Sequence, residues 1–218
     1  MRYPKSIFLT LIYYILTGII GLWIFLIPKE TEYLNLLKNS ELIDSFVALI
    51  LLILIFKLIN RTNLLELNKT NSKFYLFGML LGIGFVFFQP FLNLIYYQEV
   101  SFDIFKFDFT FKRLNYLNIL SSILIIPIIE ELFFRNYIQN GLTKYYKPFN
   151  AIILSSILFA FIHVNFASLF FEFMDFSLHH AYIALFGGLI SGILFHKSKS
   201  IIPSIVFHIF WNLTAYTF

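Results

Sequence analysis

Seven apolar runs divide this chain from end to end, and only a lipid bilayer accommodates so many in 218 residues. A helix needs about 20 apolar residues to cross the hydrocarbon layer. The runs Ile7–Ile27, Ile43–Ile59, Phe74–Tyr97, Leu117–Tyr137, Phe149–Leu169, His180–Phe195 and Ile201–Thr217 meet or approach that length. The last two are short, as expected of tilted or partly re-entrant helices. Charged residues make up 13% of the chain, about half the usual share of a soluble domain. Backbone polar groups in lipid must be satisfied within each segment, which leaves helices as the economical solution. The expectation is an all-α, polytopic integral membrane bundle of about seven transmembrane helices, forming a single membrane domain over residues 1–218.

The connections between runs carry an independent signal. Arg2 and Lys5 precede the first run, Arg61, Lys69 and Lys73 the third, Lys144 and Lys147 the fifth, and Lys197 and Lys199 the seventh. The intervening connections are acidic or mixed, with Glu30, Glu32 and Glu41 beside Lys29 and Lys38, and with Glu99, Asp103 and Asp108 beside Lys106, Lys112 and Arg113. Glu172 and Asp175 stand without any Lys or Arg. Positive residues stay on the cytoplasmic side, so this alternation puts the N-terminus in the cytoplasm and the C-terminus outside a cell (plasma) membrane. The first run follows basic residues like a signal peptide but continues to Ile27 through Trp23 and Phe25 without a small-residue cleavage site, so it reads as a retained anchor. The net charge of +4 does not signal nucleic acid, because the basic residues form no stripe. The absence of cysteine excludes disulfides, thiolate ligands and a cysteine nucleophile.

Several features have ordinary structural readings. Asp44 and Lys57 lie near opposite ends of the second run and can reach headgroups. Gly78 with Gly82, and Gly188 with Gly192, sit at the GxxxG spacing that lets helices approach closely. Ser191 reads as part of that packing. Phe102 to Phe111 alternates phenylalanine with polar residues, the pattern of a short extended or interfacial element.

A second class of residue does not belong in hydrocarbon. An intramembrane Asp or Arg costs about 2.5 to 3.5 kcal/mol on insertion scales, so such positions mark function. In the fourth run Pro127 precedes Glu130, Glu131 and Arg135. The proline tends to kink the helix and widen the space around Glu130. Glu131 and Arg135 are one turn apart in the favourable order for pairing, which leaves Glu130 free for proton chemistry. In the fifth run His163 follows Phe159 by one turn, and Phe159 is placed to wall a pocket against water. In the seventh, His208 and Asn212 share a helix face and could together hold an oxyanion. Glu130 near the inner end of its run places the opening of the site toward the cytoplasmic half.

EExxxR, then FxxxH, then HxxxN, each within an apolar run, resembles the CAAX-protease and bacteriocin-processing family of intramembrane endopeptidases, also called the abortive-infection family. The resemblance runs from about Leu117 to the C-terminus, so residues 117–218 hold the expected catalytic core. It implies that Glu130 and His163 activate water, that His208 and Asn212 stabilise the oxyanion, and that Glu131, Arg135 and Phe159 support them. The substrates it implies are membrane-associated peptides or proteins, prenylated in eukaryotic members and more diverse in bacteria. The partners are membrane lipid and a peptide substrate, with no nucleic acid.

Two mechanisms remain open. Glu130, His163 and His208 could hold a divalent metal such as Zn²⁺ with water in an open position, or Glu130 and His163 could polarise water with no cofactor. An HExxH motif is absent, Gly82-Ile83-Gly84 is followed by Phe85 rather than Asp, and Ser191 lacks the GxSG spacing. A non-catalytic immunity or peptide-binding protein is the alternative function. A proton- or ion-coupled transporter would also use buried acids but gives no reason for the HxxxN pair.

Overall fold

The computed structural model describes residues 1–22, 40–58, 68–98, 119–170 and 176–217. Seven long helical segments appear among them: α1 (Tyr3–Gly21), α2 (Ser40–Leu58), α3 (Ser72–Tyr97), a composite α4 (121–143), α5 (Pro148–Phe161), α6 (His179–Ser198) and α7 (Ile202–Thr217). The described residues contain no strand. α1, α3 and α6 are long and apolar enough to cross a membrane, while α5 is apolar but shorter. The Phe102–Phe111 segment and the side chain of Lys57 lie outside the described residues.

Local chemistry explains several helix ends. Proline opens α1 and α5, where its missing N–H costs nothing. Asn71 caps α3, its Oδ1 accepting from the Lys73 amide at 3.0 Å. Gln98 and Lys199 close α3 and α6 in the left-handed conformation, with φ of 58° and 53°.

The fifth run departs from expectation. Its helix stops at Phe161 rather than Leu169, and a short 3-10 turn follows at Ala167–Leu169. Asn165 is the cause visible in the chain: its Oδ1 accepts from the Ala167 amide at 3.0 Å, a local bond that competes with helix continuation. The amides of His163 and Val164 tighten onto the carbonyls of Ala160 and Phe161. His163 therefore sits in the turn beyond the helix, not within it.

The glycine spacings correspond to close helix contacts. A Cβ at Gly78 would fall 2.5 Å from the Pro203 carbonyl oxygen, and one at Gly82 2.4 Å from that of Phe207, so α3 and α7 run side by side backbone to backbone. Gly192 faces Gln139 and Ile152, which seats α6 against α4 and α5.

The two ends of the bundle differ in charge. Thr70 Oγ1 donates to the Ser198 carbonyl at 2.9 Å, tying the start of α3 to the end of α6. Tyr3 stacks on Tyr146 with ring centroids 3.7 Å apart, and the Met1 ammonium donates to the Gly141 carbonyl. Those contacts gather exposed Arg2, Lys5, Lys69, Lys73, Lys144, Lys147, Lys197 and Lys199 at one end, with no Asp or Glu among the described residues there. Glu41 stands at the other end, its side chain accepting from Ser122 and its carbonyl from Ser121. Large hydrophobics such as Phe8, Ile19, Phe77, Phe91 and Ile95 stay exposed on the flanks, as a lipid-facing surface requires.

Candidate functional site

α4 is not a uniform helix. It winds as a π stretch (Ser121–Ile125), an α stretch (Ile126–Glu131), a second π stretch (Leu132–Gln139) and a final α turn (Asn140–Thr143). Pro127 sits at the start of the first α stretch, and Glu130 and Glu131 close it. π turns are rare and gather at functional sites, where they re-aim side chains.

The adjacent glutamates have opposite surroundings. Glu131 is fully enclosed and accepts from three donors: Arg135 Nε at 3.2 Å and Ser191 Oγ at 2.5 Å on Oε2, and His208 Nδ1 at 3.2 Å on Oε1. Arg135 is equally enclosed, donating also to Ser191 Oγ at 3.1 Å and, through Nη1, to Ser155 Oγ at 3.2 Å. Ser155 donates on to Gln139, whose amide donates to the Gly192 carbonyl at 2.9 Å. The network stitches α4, α5, α6 and α7 together. Glu130 stands outside it: its buried Oε2 has no hydrogen-bond partner and lies 3.8 Å from His208 Nε2. The Glu130 carboxylate also lies within electrostatic reach of His163 and Tyr13.

His163 is held by its own backbone. Its Nδ1 is 2.8 Å from the Phe159 carbonyl, which has lost its usual amide partner where the helix ends. That bond puts the ring proton on Nδ1 in the neutral tautomer and leaves the Nε2 lone pair available as a base. Phe159 separates the components: its ring centroid is 4.6 Å from His163, 5.7 Å from His208 and 5.1 Å from the Arg135 guanidinium carbon. Asn212 faces the same side of α7 as His208 and donates to the Ser122 carbonyl at 2.8 Å, in the first π stretch. A carbonyl freed by π winding is the kind of acceptor such an amide takes.

Sequence reasoning missed Ser191, Ser155 and Gln139. Ser191 is more than packing, since its hydroxyl bridges Arg135 and Glu131. Its position beside Gly188 and Gly192, on the face that approaches α5, was the available signal. Glu130 and His208 approach one another, but among the described residues no three His, Cys, Asp or Glu side chains group as a metal site.

A cleft of about 360 Å³ reaches His163 between α1 and the turn after α5, with Tyr14, Thr17, Asn165 and His180 among its lining. Tyr14 fixes the wall by donating to the Val164 carbonyl at 2.9 Å. These residues belong to the second half of α1, the end of α5 and the start of α6. The cleft thus opens at the end of the bundle away from the lysines. The α5 helix ends early, so His163 and the opening beside it sit at the far end of the bundle.

Residues 112–214 match the model of the family described as type II CAAX prenyl endopeptidase Rce1-like. All seven motif residues lie inside that span. No curated protein and no solved structure matches the chain.

Proposed function

With residues 112–214 falling in the Rce1-like family, whose members point to CAAX-type intramembrane endopeptidase activity, we propose that this chain is a membrane endopeptidase in which Glu130 and His163 activate water directly. The observation that carries this is the division of labour between adjacent carboxylates. Glu131 accepts from three donors across both of its oxygens, whereas Glu130 Oε2 is buried with none. A buried unsatisfied oxygen costs about 1–3 kcal/mol, a penalty understandable where that oxygen must take a proton.

In this reading water donates a hydrogen bond to the Nε2 lone pair of His163 and gives one proton to Glu130. The hydroxide oxygen then bonds to the scissile carbonyl carbon, and the carbonyl electrons move to oxygen. His208, whose Nδ1–H donates to Glu131, stabilises that oxyanion through Nε2 in the doubly protonated form, in which Nε2 also carries a hydrogen to donate. Asn212 positions the α7 face and offers its second amide hydrogen. The C–N bond breaks as Glu130 returns its proton to the leaving amine. Arg135, Ser191 and Phe159 keep Glu131 and both rings in place. The bundle as one membrane domain, with the core in residues 117–218, and a plasma-membrane location with the N-terminus inside belong to the same proposal.

The test uses purified chain in lipid nanodiscs with a farnesylated CAAX peptide and unprenylated peptides as substrates. Glu130→Gln keeps shape and hydrogen bonding but removes the base. It should lower cleavage at least about a thousandfold, within the range for general-base loss, and His163→Ala at least about a hundredfold. Full cleavage by Glu130→Gln would overturn the mechanism and favour a peptide-binding or immunity protein. Activity should survive a chelator; loss that zinc restores would replace direct activation with metal chemistry.

A further inference from the structure

We propose that Tyr13, on α1, is a further catalytic residue, donating its hydroxyl hydrogen to the water that Glu130 and His163 activate. This role rests on the proteolytic reading above and adds a third group around the same water.

Place comes first. Tyr13 is buried, 6% exposed, and stacks on Phe133 with ring centroids 4.5 Å apart and planes 17° apart. It also meets Phe134 edge to face, at 6.1 Å between centroids. Those two phenylalanines stand about one helical turn beyond Glu130, so α1 covers the face of α4 that carries this carboxylate. Phe134 leads on to Phe159 at 5.3 Å, and Phe159 to His163 at 4.6 Å. One aromatic path thus joins Tyr13 to both groups that act on water. Glu130 is also the charged side chain whose field reaches the Tyr13 hydroxyl.

Bonding comes second. The Tyr13 carbonyl accepts from Thr17 Oγ1 at 2.8 Å, but among the described residues its hydroxyl has no hydrogen-bond partner. Glu130 Oε2 is likewise without one. A buried tyrosine hydroxyl ordinarily finds an acceptor, as the neighbouring Tyr14 does on the Val164 carbonyl. The chain uses phenylalanine freely, at 30 positions, and one more at position 13 would make the same ring contacts without stranding a donor. A spare donor beside a spare acceptor suits a molecule that can take both roles, and water is one.

Water geometry then sets the role. A water oxygen has two hydrogens and two lone pairs. One hydrogen goes to Glu130 as a proton, and the other bonds to His163 Nε2. Tyr13 donates to one lone pair, which aims the second at the scissile carbonyl carbon. Tyr13 is neutral and keeps its proton throughout, so it directs the water without adding charge beside Glu130. It lies outside residues 112–214, on a helix that the family match does not include.

The test uses the full chain in nanodiscs with the peptide substrates named above. Tyr13→Phe keeps the rings stacked and removes only the donor. It should leave the thermal midpoint unchanged and KM within about twofold, and lower kcat about fivefold or more, as for loss of one neutral hydrogen bond. In the Glu130→Gln background the same change should lower the residual rate by less than about twofold, because both residues act on one water. A smaller loss of kcat is what packing alone predicts, and it overturns the proposal. So does a raised KM at full kcat, which would make Tyr13 a peptide-binding group, and so does an equal loss in both backgrounds. Wild-type chain that fails to cleave, or Glu130→Gln at full rate, removes the proteolytic reading and this role with it. With both of those as expected, full kcat in Tyr13→Phe removes the Tyr13 assignment alone.

Discussion

The first helices and the last four handle buried polar groups in opposite ways. In α1 the hydroxyls fold back on their own helix: Ser6 donates to Tyr3, Thr10 to Ser6 and Thr17 to Tyr13, all within one turn. In α4 to α7 many polar side chains reach across instead: Ser191 to Glu131, Arg135 to Ser155, Gln139 to Gly192, Ser204 to the Ser191 carbonyl and Asn212 to Ser122, while Ser156, Thr214 and Thr217 still bond their own helices. Local satisfaction lets a helix enter lipid without naming its neighbours. Satisfaction between helices fixes which helices meet and at what rotation. Tyr14 is the exception in α1, and it bonds the turn that carries His163.

Substitutions can break that contrast. Arg135→Met should do the most harm, because it strands the enclosed Glu131 charge. Breaking a buried pair costs about 3–5 kcal/mol, measurable as a large fall in thermal midpoint of the detergent-solubilised protein. Gly82→Leu should cost about 1–3 kcal/mol by forcing α3 off the α7 backbone, and would show by the same melt with Glu131 chemistry untouched. Ser191→Ala removes one hydroxyl from a carboxylate that keeps two other donors, and should cost about 1–2 kcal/mol. Thr10→Ala removes an intrahelical bond and should change the midpoint within about 0.5 kcal/mol of zero. Equal losses for Ser191→Ala and Thr10→Ala would erase the distinction between the two halves.

The same contrast explains what could be read before any fold was known. Glu130, Glu131, Arg135, His163 and His208 were legible because each is costly inside an apolar run, and cost marks purpose. Serine is cheap there, since it can bond its own helix, so Ser191 read as packing and Ser155 gave no signal. The helix count was legible from run length. The end of α5 was not, because hydropathy continues unbroken through Leu169 while one Asn165 side chain decides the stop. The direction of the cleft was hidden for the same reason: it depends on where that helix ends.

The π winding of Leu132–Gln139 has one further consequence. A wide turn carries a surplus residue relative to ordinary α geometry, so the phase of everything downstream depends on how many residues the stretch contains. Shortening it by one would let the backbone relax into a regular helix and rotate Gln139 away from Gly192, even with every remaining side chain kept. Over this stretch, spacing constrains the chain as tightly as residue identity does, and insertions or deletions should be as poorly tolerated as the loss of a glutamate.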